Sequence, residues 1–168
     1  MPLPHNDSEQ LNYGFGSNRF GRVLVAWSER GICALLPGED EVTLVQRFPR
    51  AKLVAAPLHA WAERALRCMD EGNALDVPLD LHGTAFQQQV WRALREVPAG
   101  QTVTYAGLAA RLQAPTAARA VARACASNPL AVLVPCHRVV RSDGRLGGYR
   151  WGVQRKQQLL DAERHAQQ

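Results

Sequence analysis

The 168-residue sequence predicts an α+β fold, with a small sheet carried by the first half and a helical second half. Three observations carry that expectation. Two short apolar stretches, residues 22–27 and 31–36, are joined by a three-residue link, Ser28 to Arg30, as in a hairpin. Beyond Gly83 the apolar residues recur at three- and four-residue spacing, the period of a helix. The length suits one domain or two small ones, able to bury a core without disulfide or metal staples.

In chain order, residues 1–10 are polar, read as a flexible end, and carry no signal-peptide core. Pro37-Gly38 closes the second strand, and residues 39–48 suit a short helix. Residues 58–69 make a better one, with Trp61, Ala65 and Cys68 on one face. Residues 77–81 read as a further strand, at an edge because Pro78 cannot donate to a ladder. His59 and His82 read as surface groups. The character changes at Gly83, which divides a sheet domain, 11–82, from a second domain, 83–168. Thr84 can cap a helix through Phe86, Val90, Trp91 and Leu94, stopped by Pro98-Ala99-Gly100. Residues 130–134 form an apolar run consistent with a buried strand. A glycine-rich loop, 144–148, precedes a last helix over about 154–164.

Charge is divided unevenly. Residues 1–98 hold ten Lys/Arg and twelve Asp/Glu, whereas residues 99–168 hold ten and three, and all ten basic residues there except Lys156 are arginine. A basic half rich in arginine suits a polyanion, although a soluble basic surface without a partner has the same composition. No apolar run approaches the ~18 residues of a membrane span. Cys33, Cys68, Cys125 and Cys136 show no CxxC spacing, and are expected as free thiols in a reducing, cytoplasmic setting.

Thr104 is placed to cap a helix with Tyr105, Leu108, Ala109 and Leu112 on one stripe. Gln113-Ala114-Pro115 makes a turn, and a second helix runs from near Thr116 to a cap at Asn128-Pro129. This is helix-turn-helix spacing. At about 100° per residue, Ala117, Ala118, Val121, Ala124 and Cys125 face the core. Arg119, Ala122, Arg123 and Ala126 face outward. Such a face lacks the Asn, Gln and Ser side chains that read the major groove. It suits close approach to a minor groove with an inserted arginine and weak sequence preference. An alanine-rich packing helix would show the same pattern.

The strongest local signal is Pro135-Cys136-His137-Arg138-Val139-Val140. A thiol is nucleophilic as thiolate, and neighbouring His and Arg favour that form. Successive side chains of an extended segment point opposite ways, so Cys136 and His137 would communicate through water, with the imidazole oriented by a carboxylate such as Asp161 or Glu163. An inert buried thiol, a metal ligand and a cysteine hydrolase are the alternatives; the paired spacings of a metal site and a protease signature are both absent.

Together with Asn128-Pro129 and Ala118-Arg119-Ala120-Val121, this hexapeptide resembles the O6-alkylguanine-DNA alkyltransferases, or methylated-DNA–protein-cysteine methyltransferases. Residues 83–91, GTAFQQQVW, and 148–152, GYRWG, extend the match. They place it nearest the methyltransferase half of the bacterial adaptive-response regulators, over about residues 12–165. The resemblance implies a ribonuclease H-like N-terminal sheet domain and a helical domain with a winged-helix-like helix-turn-helix. It implies direct-reversal repair, in which an alkyl group on O6 of guanine, or O4 of thymine, passes irreversibly to an internal cysteine, once per molecule and without a cofactor or metal. The partner would be double-stranded DNA, bound by a monomer.

The resemblance also assigns roles. Cys136 would be the acceptor, His137 its base through water, and Glu163 the group orienting His137. Asn128 would tie the recognition helix to the active-site loop. Tyr105 would rotate the nucleotide and contact the flipped base, and Arg119 would fill the gap in the stack, with Arg123 beside it on the DNA face. Cys125 and Tyr149 would wall the pocket, and the Val139 carbonyl and Arg150 backbone N–H would meet the guanine edge. Base chemistry requires the base to leave the stack, so a finger and a pocket must cooperate. The regulators carry in addition an N-terminal cysteine–zinc domain and a transcription-factor region. Neither is found in the 168 residues, and roles in phosphotriester sensing or gene activation are not expected. A damage-binding protein without transfer, or a plain helix-turn-helix regulator, would differ at Cys136 and at Ala122 and Ala126 respectively.

Overall fold

A computed structural model describes residues 9–72 and 76–167. They fall into two units. The first runs to Thr84 and takes in Pro129–Leu133; the second holds Ala85–Asn128 and continues from Val134. Residues 1–8 of the expected flexible end lie outside the described residues, and Gln10, also assigned to that end, is the first residue of a strand.

The first unit is built on a four-stranded sheet of order β3-β2-β1-β4. The anticipated hairpin is β2 (Gly21–Trp27) with β3 (Ile32–Pro37), paired antiparallel. All of β3, and β2 from Val23 on, is buried. The strand β1 (Gln10–Asn18) pairs antiparallel with β2, and β4 (Lys52–Ala55) runs parallel to β1. Neither shows a strand pattern in sequence. The β1 segment, QLNYGFGSN, is polar and holds two glycines, which are weak strand formers. Both glycines are there for space: a Cβ on Gly14 would come 2.9 Å from the Ala56 carbonyl, and one on Gly16 would come 2.3 Å from Leu66. Leu66 belongs to α2 (Ala60–Glu71), whose Ala62, Ala65, Leu66, Cys68 and Met69 are buried. The shorter α1 (Glu41–Arg47) is capped by Asp40, whose side chain accepts from the Val42 N–H.

Two expectations are corrected here. Residues 77–81 are not a strand: Leu79 makes an isolated parallel bridge to Ile32, through Ile32 N–H to the Pro78 carbonyl and Asp80 N–H to the Ile32 carbonyl, both 2.9 Å. Pro78 offers no N–H to extend it. Residues 130–134 are buried, as expected, but turn instead of extending. Leu130 bridges Leu35. The Leu133 N–H then bonds the Ala131 carbonyl at 2.8 Å around Val132, whose φ is +69°. This is a classic-type γ-turn, a strained conformation for a β-branched residue.

His82 is no surface group. Its Nε2 lies 2.8 Å from Asp80 Oδ2 and 3.8 Å from Cys33 Sγ, and its ring meets Phe48 edge-on. Ser28 Oγ donates to the same Asp80 oxygen at 2.5 Å, and Arg30 pairs with Asp80 and Glu9. Burial opposes the Asp80 charge, but bonds from His82 and Ser28 hold its carboxyl well below the usual range. Burial and that carboxylate together push the Cys33 thiol up. The cluster fastens residues 80–82 to the first strands of the unit.

The second unit contains α3 (Ala85–Arg95), α4 (Tyr105–Arg111), α5 (Ala118–Ala126) and α6 (Val153–Ala166), with a two-stranded parallel pair, β5 (Val103–Thr104) and β6 (Val139–Val140). Thr104 caps α4 as expected, its hydroxyl accepting from Gly107 N–H at 2.9 Å. Trp91, fully buried, donates its indole N–H to the Ala124 carbonyl at 2.9 Å and so locks α3 to α5. Among the described residues no helix is long and apolar enough to cross a membrane.

Gly31 is the tightest backbone approach in the first unit, since a Cβ there would lie 2.5 Å from the Pro78 carbonyl oxygen. We expect Gly31→Ala to lower stability by about 2 kcal/mol or more. Gly38→Ala, with open space around it, should cost about 1 kcal/mol for its positive φ. Urea denaturation separates the two, and equal losses would contradict the backbone-contact account.

Candidate active site and DNA-binding face

The reactive segment lies wholly in the second unit. Cys136 opens a single 3-10 turn, Cys136–Arg138, that leads directly into β6. The pairing of β6 with β5 sets this turn beside the start of α4. The preceding residue, Pro135, sits in an inverse γ-turn closed by Cys136 N–H to the Val134 carbonyl at 2.8 Å. Asn128 is fully buried, and the cap of α5 is Ser127, not Asn128. Its side-chain amide instead donates to the Val134 carbonyl at 2.9 Å and to Cys136 Sγ at 3.3 Å. It thereby joins the end of α5 to the thiol.

His137 is fully buried, and its ring meets that of Tyr149 edge-on at 6.5 Å. Its Nε2 lies 2.7 Å from Glu163 Oε1. If that bond is N–H to carboxylate, Nδ1 carries the lone pair, and Nδ1 is buried with no hydrogen-bond partner among the described residues. Asp161, the other carboxylate considered for this task, pairs with Gln157 and Arg164 on the surface. Arg138, expected to help make the neighbourhood positive, is buried. Its guanidinium bonds Glu163 through Nη2 at 2.8 Å and Nε at 3.0 Å, and its Nη1 donates to the Val97 carbonyl at 2.7 Å. Burial disfavours the Glu163 charge, but His137 and Arg138 bring its pKa down to about 2.

The sequence reasoning missed Lys156. It is completely buried and gives its ammonium to three carbonyls: Val139 at 2.6 Å, Leu146 at 2.5 Å and Gly148 at 3.1 Å. The signal was available. Lys156, Leu159, Leu160 and Glu163 are the buried residues of α6, at i, i+3, i+4, i+7 spacing, so two charged residues stand on the apolar stripe.

Tyr105, Ala122, Cys125, Ala126, Cys136, Gly148, Tyr149 and Arg150 line a cavity of about 380 Å³. Cys125 was expected to face inward and does. Ala122 and Ala126, assigned to the outward face, form part of the same wall. Arg119 and Arg123 are exposed on α5. Val139 is buried and does not line the cavity; its carbonyl is engaged by Lys156. Gly147, with φ +73°, leaves room for Tyr105: a Cβ there would lie 3.0 Å from the phenol oxygen.

The thiol itself does not behave as its neighbours in sequence suggest. Burial pushes Cys136 up, outweighing the Asn128 bond and the Lys156 charge, so the resting group is a protonated thiol. Cys125, in the same cavity, is pushed up by burial to about 12, and Tyr105 likewise to about 12. All four cysteines are free. The site can therefore present two neutral thiols, Cys136 and Cys125, to a flat ligand held between aromatic and small side chains, with the buried imidazole next to Cys136 paired to a carboxylate on α6.

A family model described as 6-O-methylguanine DNA methyltransferase, DNA binding domain, matches residues 85–165. The crystal structure of Mycobacterium tuberculosis OGT in complex with DNA superposes with a TM-score of 0.79 at 36% identity, over 92% of this chain and 93% of that one. The chain belongs to the O6-methylguanine-DNA methyltransferase family. It is 51% identical to the Escherichia coli bifunctional transcriptional activator/DNA repair enzyme Ada over 91% of its own length. It is 52% identical over 56% of that length to a methylated-DNA–protein-cysteine methyltransferase of Mycobacterium tuberculosis. The chain spans 45% and 57% of those two relatives, about half their length.

Protonation of the buried pair should appear in folding stability. Burial lowers the proton affinity of His137 in the folded state, so the unfolded chain takes that proton first. Stability should begin to fall as pH drops below the usual histidine value of 6.5. The Glu163 contribution should be complete above its usual 4.5 and vanish as pH falls toward about 2. Urea titrations at a series of pH values should show both limbs, with His137→Asn lacking the first. A His137→Asn curve parallel to wild type would contradict this assignment.

Proposed function

We propose that the protein repairs alkylated DNA by direct reversal, taking a methyl or larger alkyl group from O6 of guanine, or O4 of thymine, onto Cys136. The observation that carries the reading is the neutral Cys136 thiol, held by Asn128 and facing a cavity walled by Tyr105 and Tyr149, with His137 in the next residue paired to Glu163 of α6.

In this mechanism the thiol proton passes through a water to His137 Nδ1 as sulfur attacks the alkyl carbon. The new bond is C–S, and the C–O bond to the base breaks. The base leaves with that electron pair and takes up one proton from solvent, while His137 returns the thiol's proton to solvent, so that one proton leaves the sulfur and one reaches the base. Glu163 keeps the imidazole oriented and stabilises its charged form. The product thioether has no neighbour able to displace the alkyl group, so each molecule reacts once. The relation to methylated-DNA–protein-cysteine methyltransferases supports the assignment.

The DNA reading rests on α4 and α5 as a helix-turn-helix of winged-helix type. Exposed Arg119 and Arg123 and the small Ala122 and Ala126 suit a minor-groove approach with weak sequence preference. Arg119 fills the stack while the base enters the cavity against Tyr105, Cys125 and Tyr149, with the Arg150 backbone N–H meeting its edge. Action as a monomer is part of this reading, and four free thiols support a cytoplasmic setting. The sheet order β3-β2-β1-β4, with β4 parallel to β1, supports a ribonuclease H-like first domain.

Mixing the protein with a duplex containing O6-methylguanine should add one methylene mass to the peptide holding Cys136, saturating at one per chain. Cys136→Ser should abolish the addition and keep DNA binding; lesion DNA bound without any mass gain by wild type would place the protein among damage binders. Arg119→Ala should slow transfer from duplex about tenfold, equivalent to roughly 1.4 kcal/mol, and leave reaction with the free base unchanged. Equal loss on both substrates would remove the finger role.

A further inference from the structure

His137 and Arg138 are consecutive residues of one turn, and both side chains end on the same buried carboxylate. Glu163 Oε1 receives His137 Nε2 at 2.7 Å and Arg138 Nη2 at 2.8 Å; Oε2 receives Arg138 Nε at 3.0 Å. Guanidinium and carboxylate thus meet in the two-bond geometry that is strongest for this pair. The third corner of the guanidinium is fixed by the Val97 carbonyl beyond the end of α3. We infer that Arg138 is a positioning residue that sets how readily His137 takes up a proton, by engaging both oxygens of the carboxylate on which His137 depends. The inference rests on the reading of His137 as proton acceptor and assigns the control of that step.

A carboxylate paired with an imidazole alone draws a proton onto the ring and holds it there. An imidazolium already formed cannot accept a proton from a thiol, so an unshared Glu163 would block the step that it assists. Shared with Arg138, the anion has its charge largely balanced and still orients the ring. The other groups facing His137 agree in sign. Lys156 on α6 adds a second positive charge that disfavours imidazolium, and burial does the same. Tyr149, ahead of α6, meets the ring edge-on at 6.5 Å and is neutral, its phenol pushed well above the usual value by burial. Cys136 on the same turn is a neutral thiol at rest. The two cations therefore keep His137 neutral and able to accept, and Glu163 alone favours its protonation.

The test is the titration of His137, followed by the NMR shifts of its imidazole in the full chain without DNA, beside the pH profile of alkyl transfer. Arg138→Met should raise the titration midpoint by about one pH unit or more. The acid limb of the transfer profile should move up by the same amount, so that the rate one unit below the new midpoint is about a tenth of its plateau. Arg138→Lys, a one-point donor, should give a smaller rise. Adding Glu163→Gln to Arg138→Met should bring the midpoint back down, which loss of packing alone would not do. Where Arg138→Met does not fold, Arg138→Lys decides. An unmoved midpoint in a folded variant overturns the role of Arg138, whatever the protein does with alkylated DNA. A raised midpoint in a protein that transfers no alkyl group upholds it and overturns the repair reading instead.

Discussion

The second unit is organised around one buried carboxylate. Glu163 stands on the apolar stripe of α6, where an unpaired charge would cost several kcal/mol. It is tolerated because His137 and Arg138 bring their donors to it from a single 3-10 turn. That requirement places the turn against α6, and Arg138's remaining N–H groups reach back to Val97. Two helical turns earlier on the same stripe, Lys156 collects the carbonyls of Val139, Leu146 and Gly148. Two charged residues on α6 therefore define where the turn begins, where β6 goes and how the glycine-rich loop returns. The side of the cavity formed by Cys136 and Gly148 follows from this internal polar network.

The same arrangement explains a thiol that is both shielded and usable. Burial holds Cys136 neutral, which limits adventitious oxidation, since oxidation proceeds through thiolate. Cys125 shares the cavity and is equally neutral, yet no base stands in the residue beside it and no amide donates to its sulfur among the described contacts. The difference between the two cysteines lies in their surroundings: Asn128 at 3.3 Å from one sulfur, and an imidazole in the next residue with an unengaged Nδ1.

Much of this was legible in sequence, and the failures have physical causes. The hairpin, the cap at Thr104 and the inward place of Cys125 follow from local patterning that tertiary contacts leave intact. The strand β1 escaped because its glycines answer to Leu58 and Leu66 overhead, a demand no local propensity records. Residues 130–134 look like a strand because burial and apolar content do not distinguish an extended chain from a γ-turn around Val132. The helix cap expected of Asn128 fails because its amide reaches forward to Val134 and Cys136, the tie that the resemblance assigns to it, and Arg138 is drawn from the thiol by Glu163 and Val97, partners distant in sequence. Lys156 was the readable exception, a lysine at a buried helical spacing.

The close fit of Tyr105 against Gly147 has a consequence for ligand recognition. The Tyr105 side chain has no hydrogen bond among the described residues; its phenol oxygen is located by the space that the glycine leaves and by the ring's place at the head of α4. Position supplied by shape leaves the O–H rotor unassigned. Burial keeps that hydroxyl protonated, its pKa up at about 12. A ring nitrogen or carbonyl entering the cavity would meet a donor whose direction is still adjustable, with no internal bond to break before the new one forms.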